Sequence, residues 1–464
     1  MTLLERLSAL NEIKFDIENF CVRRAYRPPK ELEPIPTVPI FKFARTVLFN
    51  EGQHEIQRVI SDSDPEKIGL VKVRWTVLIT NIEHAKIFFA ENDDVLLKGQ
   101  VPDDHPIRKF FGRGISFANG EDRIRQRKMA IPAFNRSLNP EMIGESTNEL
   151  ITLLNKWNGI PLDIFTIMKR ITVQTLGKLA FSYDMKALDS LEEEPYFMKT
   201  YEKITELIQN PLYMILSFTY KLPLKANLEL SQLIEGFDQL IYKVIEQRKL
   251  DLAKEKKSEE HTDLLANMLE NLGNGYTMKD LRDELTAIFS AGHNTTAFAL
   301  SAVFYNLAKH PEIQKKAREE AIQVLGDSSK IPTSENIKDL KYIKAIIKES
   351  LRLYPAVAML PFRKVLKPLR FNQDIVIPKG TNLSLNIWQV HKNSNFWSDE
   401  FVPERFINQD DRENWIPFSI LNFEVLLPPE SQNFDKMPLK SSFYTLYPKD
   451  LKIVFSELKK IVEV

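Results

Sequence analysis

Apolar residues recur at helical spacing over most of the chain between about residues 140 and 353. One stretch is bounded by the turn signal N-G-Y-T at 274–277 and by H-P-E at 310–312, with no proline between them. This pattern predicts a long central helix over about residues 278–309, on the order of 45–50 Å long, which would cross a whole domain. The charge-rich run at 251–263 predicts a solvated loop between helices.

Shorter runs of β-like character predict a smaller sheet region. Apolar residues alternate with other residues from Val71 to Ile79, which predicts one strand there. Further β-like pieces lie at 374–381, 383–387 and 451–455. Together these patterns predict a protein that is mainly α with a smaller β region (α+β).

The first 39 residues differ from the rest of the chain. Residues 1–22 have leucine, isoleucine and phenylalanine at near-helical spacing, but acidic residues interrupt them, which does not fit a signal peptide. We expect an amphipathic helix packed on its own protein, the alternative being a helix at a membrane surface. The proline-rich run at 27–39 predicts an extended, non-helical lead-in. Residues 40–464 would then form a single domain.

Composition narrows the classes of partner. Lys+Arg and Asp+Glu both number 63, so the net charge is zero, which argues against nucleic acid or an anionic membrane as the main partner. No apolar run approaches the roughly 20 residues of a membrane-spanning helix, so no transmembrane segment is predicted. The only cysteine in 464 residues is Cys21, which excludes an internal disulfide and agrees with a reducing compartment.

The central helix carries the first candidate chemistry, the run A-G-H-N-T-T at 291–296. Ala291 and Gly292 have almost no side chain, so a flat ligand or a small molecule could approach the backbone, and Thr295 could bond back to a carbonyl. A tight helix crossing would use the same small residues. His293 and Asn294 could equally be core or boundary polar residues.

A second candidate feature is the pair Glu349 and Arg352, which share one helical face at i,i+3 spacing in K-E-S-L-R-L-Y-P. Leu351 and Leu353 flank Arg352, which favours burial, and a buried guanidinium needs a carboxylate partner. Arg405, in F-V-P-E-R-F, would complete a Glu–Arg–Arg cluster.

In order and spacing these segments resemble the cytochrome P450 superfamily. The oxygen-activating helix motif of that family matches 291–296, its E-x-x-R helix matches Glu349 and Arg352, and its P-K-G-T turn matches 378–381. Its P-E-R-F run, with the preceding tryptophan, matches W-S-D-E-F-V-P-E-R-F at 397–406. The resemblance covers about residues 30–419 and resumes over 423–455, and it implies the cytochrome P450 fold.

The resemblance also implies roles for residues of the central helix. Thr295 would be the alcohol that helps to deliver protons to iron-bound dioxygen. The acidic residue that usually precedes it is replaced by Asn294, which cannot ionise. Ala291 and Gly292 would border the oxygen and substrate pocket.

Five arginines and one glutamate stand at further positions that the family uses. Arg127 and Arg363 would bind the haem propionates, and Arg123 stands where the family usually has a tryptophan. Glu349, Arg352 and Arg405 would form a structural, non-catalytic cluster that braces the proximal side of the haem. No metal ligand can be assigned.

The family's cysteine ligand is missing. In the family a cysteine-bearing loop and a long helix follow P-F-S, whereas here Ser419 runs into I-L-N-F-E-V, which looks like the strand after that helix. About thirty residues would therefore be absent, a ten-residue loop and a helix of about five turns. Cys21 precedes the proline-rich lead-in and has no route to the proximal face. His293 lies on the distal helix and could in principle ligate iron from the opposite side, although histidine would not supply the electron density of a thiolate.

Three functional interpretations follow. The family implies a haem monooxygenase of lipophilic substrates that receives electrons from an NADPH-dependent reductase, on the cytoplasmic side, soluble or peripheral to the endoplasmic reticulum. The chain as written would be catalytically impaired or inactive without the cysteine. Alternatively, it would be a haem-free pseudoenzyme that binds a lipid or a partner.

Overall fold

The computed structural model describes residues 30–39, 42, 53–73, 76–91, 94–137, 140–209, 217–254, 263–273, 276–326, 330–392, 398–407, 423–426, 437, 439–442, 445–448 and 451–457. The predicted helix at 1–22, Cys21, Trp397 and the Ser419–Ile420 junction lie outside these residues. The division at residue 39 therefore stays a prediction. No helix in the described part of the chain is both long enough and apolar enough to cross a membrane.

The described residues are mainly helical, which confirms the predicted fold class. The α-helices are α1 (Gln53–Ser61), α2 (Ile82–Ala90), α3 (Pro106–Phe111), α4 (Gly120–Ser137), α5 (Pro140–Asn155), α6 (Ile164–Phe181), α7 (Tyr196–Ile208), α8 (Lys225–Lys254), α9 (Leu264–Leu269), α10 (Met278–Lys309), α11 (Pro311–Leu325), α12 (Asn336–Asp339), α13 (Lys341–Leu353) and α14 (Ile387–His391). Single 3₁₀ turns lie at Lys30–Leu32, Ser217–Lys221 and Pro403–Phe406.

The strands form a minor part of the fold. They are β1 (Leu70–Val73), β2 (Thr76–Ile79), β3 (Leu96–Lys98), β4 (Pro161–Asp163), β5 (Arg363–Val365), β6 (Leu369–Arg370), β7 (Val376–Ile377), β8 (Asn382–Leu385), β9 (Phe423–Leu426), β10 (Leu439–Ser442), β11 (Thr445–Pro448) and β12 (Lys452–Glu457). The largest sheet has the order β1-β2-β8-β5-β3, in which only β2 and β8 are parallel. A second sheet has the order β4-β12-β9 and is antiparallel, and β6–β7 and β10–β11 form two-stranded pairs.

The long central helix is α10, and its observed bounds, Met278–Lys309, are those that the sequence predicts. It begins with a capping box, in which the Thr277 hydroxyl accepts from the Asp280 N–H and the Asp280 carboxylate accepts from the Thr277 N–H. It ends where Pro311 starts α11. Its two halves belong to different hydrophobic clusters, the first packed with α7, α8 and α9 and the second with α5, α6 and α13.

Three local predictions were wrong. The run from Val71 to Ile79 is a hairpin and not one strand, because the chain reverses between Val73 and Thr76, which pair with each other. Residues 30–32 form a 3₁₀ turn within the predicted extended lead-in, since no proline removes the N–H groups that close it. Helix α8 continues to Lys254, so residues 251–254 of the predicted loop are helical, and residues 255–262 lie outside the described part of the chain.

Candidate functional site

The central helix α10 exposes a short stretch in its middle. Residues 281–289 are buried, as are Ala297 and Phe298, whereas Ala291 and Thr296 are exposed and Thr295 is half-buried. A helix that is buried along much of its length thus presents small side chains to open space near its middle. This surface can admit a flat or apolar ligand close to the helix backbone.

Thr295 shares the face of Ala291, one turn further along the helix. Its hydroxyl donates to the Ala291 carbonyl oxygen at 2.6 Å. The donor of the hydroxyl is therefore used locally, which leaves its lone pairs to accept from a ligand.

Gly292 contributes to packing as well as to this surface. A Cβ atom at Gly292 would lie 3.2 Å from Cδ2 of Leu176 on helix α6, so the glycine lets α6 and α10 cross closely. The two small residues therefore have different roles, since Ala291 is exposed whereas Gly292 packs against α6.

Asn294 and His293 point toward helix α7. The Tyr201 hydroxyl lies 2.6 Å from Ser290 Oγ and is also hydrogen-bonded to the Asn294 side chain. Burial raises the pKa of Tyr201 to about 12. The Asn294 amide is thus committed to a tyrosine that stays protonated at neutral pH.

His293 is not placed to act as an iron ligand on the open face. It is 2% exposed, its Nδ1 lies 2.6 Å from the Phe289 carbonyl oxygen, and its ring packs on Phe289 and Tyr201. Burial lowers the pKa of His293 to about 4. This arrangement does not support the alternative that His293 ligates iron, because the ring is enclosed by aromatic side chains on the side of the helix away from Ala291.

Arg127 and Arg363, which were predicted to bind the haem propionates, lie on α4 and β5, and Arg123 lies on α4 with Arg127. Arg127 is exposed and Arg123 half-buried on α4, whereas Arg363 is half-buried on β5 with its guanidinium carbon 4.9 Å from the centre of the Phe88 ring. The ring face of Phe88 helps to hold this cation by a cation–π interaction. All three guanidinium groups can bind carboxylates.

Lys98 and Asn119 connect these two elements. Lys98 on β3 stands opposite Arg363 in the sheet register. Its backbone N–H donates to Asn119 Oδ1 at 3.0 Å and its carbonyl accepts from Asn119 Nδ2 at 3.3 Å. Because Asn119 directly precedes α4, this pair fixes the start of the helix that carries Arg123 and Arg127.

The predicted Glu–Arg–Arg residues lie together. Glu349 is fully buried and accepts two hydrogen bonds from Arg352, at 2.7 and 2.8 Å, and one from the Val402 N–H at 3.0 Å. Arg352 also donates to the Glu400 carbonyl at 3.1 Å, and Arg405 Nε lies 3.5 Å from Glu349 Oε1. The cluster therefore joins α13 to the segment around Pro403–Phe406, with Glu349 and Arg352 buried and Arg405 partly exposed.

Sequence reasoning missed two buried carboxylates, Asp283 and Glu284, in the second turn of α10. They accept hydrogen bonds from the backbone N–H groups of Arg113 and Ile115, at 2.8 and 2.9 Å. Two adjacent acids in an otherwise buried helix were a usable signal, since buried acids need specific partners.

Comparison with known proteins places this geometry among the cytochromes P450. The sequence model of the cytochrome P450 family matches residues 68–420. Taurochenodeoxycholic 6 alpha-hydroxylase of Sus scrofa is 30% identical over 75% of this chain and 71% of its own length. Cytochrome P450 4A2 of Rattus norvegicus is 28% identical over 89% of this chain and 84% of its own length. A crystal structure of a cytochrome P450 (CYP102L1) superposes with a TM-score of 0.74 at 18% identity, covering 87% of this chain and 98% of that one.

Proposed function

This chain belongs to the cytochrome P450 family. From that premise we propose that it has lost haem-thiolate catalysis but still binds a lipophilic ligand at the open surface of α10 around Ala291 and Thr295. The family implies a haem cofactor, and its members generally take electrons from a reductase and act on lipophilic substrates. The proposal concerns what this particular sequence retains of that chemistry.

The absence of a cysteine beyond residue 21 carries the proposal. A cysteine thiolate supplies the electron density that favours O–O cleavage in this family. No described residue is a cysteine, and the one thiol, Cys21, lies in the part of the chain that the structure does not describe.

The position of the loss is indicated by the residues on either side. The family match ends at residue 420, one residue after Pro417-Phe418-Ser419. The strand β9 begins at Phe423 and pairs with β12. These facts support the loss of about thirty residues, the loop with the cysteine and the helix after it, at this junction.

The residues present fit haem only in part. Ala291 and Thr295 leave room beside α10, and Arg123, Arg127 and Arg363 are suited to carboxylates such as propionates. The donor set lacks the axial thiolate. We therefore assign no reaction step to a haem in this chain.

The chain beyond the junction still contributes to the core. Met437 is fully buried in the cluster that includes Tyr354 and Trp388, and its carbonyl oxygen lies 3.2 Å from His54 Nε2. Leu451 is likewise fully buried. This packing supports a chain that folds without the missing segment, as the pseudoenzyme alternative requires.

The competing proposal is an active monooxygenase whose transcript contains the missing segment. It would use haem and an NADPH-dependent reductase, peripheral to the endoplasmic reticulum. Among the similar proteins, one is named a taurochenodeoxycholic 6 alpha-hydroxylase and another a cytokinin hydroxylase. These substrates differ widely, so we propose a lipophilic hydroxylation substrate and no narrower class.

The test is the ferrous carbon-monoxide difference spectrum of the full chain produced in a haem-supplemented host. We expect no thiolate-type Soret band from the wild type or from the Cys21→Ser variant. A thiolate band in the wild type that disappears in Cys21→Ser would overturn the proposal. Sequencing the transcript across Ser419–Ile420 separates the two proposals, because inserted coding sequence there would favour the monooxygenase.

Ligand binding is measured separately with the lipophilic dye Nile red. We expect saturable binding to the wild type and weaker binding to Ala291→Phe, since the larger side chain would fill the open face of α10 without entering the core. Folded protein without saturable binding would refute the retained ligand surface.

A further inference from the structure

The loop between α3 and α4, residues 112–119, lies directly on the central helix α10. Gly112 has φ +63°, and a Cβ atom there would lie 1.9 Å from the Asp283 carboxyl carbon. A Cβ atom at Gly114 would lie 3.1 Å from the Asp283 carbonyl oxygen. The two glycines therefore permit a contact between backbone and helix that larger residues would prevent.

Side chains from four neighbouring elements, α3, α4, α10 and β3, bind the backbone of this loop. Asp283 and Glu284 of α10 accept from the N–H groups of Arg113 and Ile115. On the carbonyl side, the donors are Gln126 to Arg113 O at 2.9 Å, Lys98 to Ile115 O at 2.7 Å and Arg108 to Gly112 O at 3.1 Å. The loop is therefore held by polar contacts that depend on the charge and protonation of their partners.

Glu284 is the unusual member of this set. It is 1% exposed, and while Oε1 binds the Ile115 N–H, Oε2 has no hydrogen-bond partner among the described residues. A buried carboxylate oxygen without a donor is costly when ionised, because it has lost water and gained nothing in return. A proton on Oε2 would remove that cost and leave the bond between Oε1 and Ile115 in place.

On balance, the surroundings of Glu284 favour its neutral form. Burial, with smaller contributions from Asp283 and Asp280, raises the pKa of Glu284 to about 7, whereas the Ile115 N–H and Lys98 oppose this rise. The nearby Tyr276 hydroxyl is also buried without a hydrogen-bond partner among the described residues, and its neighbours include Arg125.

We propose that Glu284 is a proton-operated latch that keeps the loop of residues 112–119 on the central helix when neutral and releases it when ionised. With the loop open, water reaches the carboxylate, so ionisation favours opening. With the loop closed, the carboxylate is shielded, so protonation favours closure.

Opening of the loop would change the positions of Arg123 and Arg127, which are proposed to bind carboxylates. The loop leads directly into α4, which carries Arg123 and Arg127, and Gln126 of the same helix binds the loop backbone. Release of the loop would loosen the start of α4 and so the placement of both guanidinium groups. This consequence for ligands rests on the proposed function, whereas the latch itself does not.

The test is amide hydrogen exchange of the full-length protein at about pH 5 and about pH 8, reported as protection factors that correct for intrinsic exchange. A pKa of 4.5 for Glu284 in the open state and about 7 in the closed state implies that opening of residues 112–119 rises roughly 70-fold between pH 5 and pH 8. The Glu284→Gln variant keeps the acceptor for Ile115 but cannot ionise, so its protection should not change with pH.

Two controls make the result specific. The segment at 187–193 is held by the Arg170 guanidinium, which donates to the carbonyls of Ala187 and Glu193, so its protection should be the same at both pH values. Asp283→Asn should weaken loop protection at both pH values and keep the pH dependence.

The wild type alone can refute the latch, by showing equal protection of residues 112–119 at both pH values. A Glu284→Gln protein that keeps the full pH dependence would also refute it. Neither result would bear on the missing thiolate, which the carbon-monoxide spectrum tests independently.

Discussion

Replacement of Arg352 by methionine should destabilise this protein strongly, although the same substitution in an exposed ion pair should not. In the folded protein the Arg352 guanidinium is 3% exposed and makes two hydrogen bonds to Glu349, whose side chain is 0% exposed. In Arg352→Met the Glu349 carboxylate would stay buried with the Val402 N–H and, at 3.5 Å, Arg405. The carbonyl oxygen of Glu400 would also lose its donor.

The size of the effect follows from the burial of the remaining charge. Breaking a buried ion pair by removing one partner costs about 3–5 kcal/mol. With an unfolding entropy of about 2.1 cal/mol/K per residue, a chain of 464 residues has about 1 kcal/mol/K in total, so Tm should fall by about 3–5 °C.

Glu55 and Arg58 provide the matched control, because they have the same i,i+3 order and the same two-pronged hydrogen bonding, at 2.8 and 2.5 Å. The Arg58 side chain is 59% exposed, so Arg58→Met should cost less than about 0.5 kcal/mol. Calorimetry would measure both variants and the double variant Glu349→Gln/Arg352→Met, which should lose less than the sum of its parts. Equal Tm values for Arg352→Met and Arg58→Met would refute the argument from burial.

Three further predictions follow from single residues. Gly112→Ala should lower the urea midpoint of unfolding more than Gly120→Ala does. Both glycines have positive φ, but only at Gly112 would the new Cβ atom meet the Asp283 carboxyl group. Equal shifts of the midpoint would contradict this. Burial lowers the pKa of His293 to about 4, so the unfolded state takes up a proton at a higher pH than the folded state does. The free energy of unfolding should therefore fall by about 3 kcal/mol as the pH drops from 6.5 through 4. In acid unfolding curves, His293→Phe should lose that dependence. Thr295→Val removes only the back-bond in the middle of α10, so Tm should change by less than about 1 °C, and a larger fall would show that the hydroxyl stabilises the fold.

Local signals were sufficient for the central helix. Thr277 and Asp280 form a capping box, and Pro311 cannot continue the helix, so both ends are specified by neighbours in the sequence. The prediction of one strand from Val71 to Ile79 was wrong because its structure depends on residues far away in the sequence. Strand β2 is flanked by β1 on one side and by β8 on the other, and β8 lies some 300 residues away. Alternation could not reveal a reversal that long-range pairing stabilises.

The candidate site shows the same division. The motif at 291–296 lies on the part of α10 that is exposed, but only the packing of α6 and α7 determined where each side chain points. Gly292 lies against Leu176, and His293 lies among Phe289 and Tyr201. Ala291 remains on the open face.

The sequence by itself determined the fold class, the central helix and the pairing of Glu349 with Arg352 within one helix. It also determined the absence of a cysteine beyond residue 21. These features follow from periodicity, capping and residue type, which are local properties of the chain. Only the tertiary structure decided that Glu284 lies beneath a loop from another part of the chain with one oxygen unpaired. It also decided that Arg363 reaches the Phe88 ring and that Asn119 ties Lys98 to α4. These contacts join residues far apart in sequence, and their energies depend on burial and distance, which spacing along the chain does not encode.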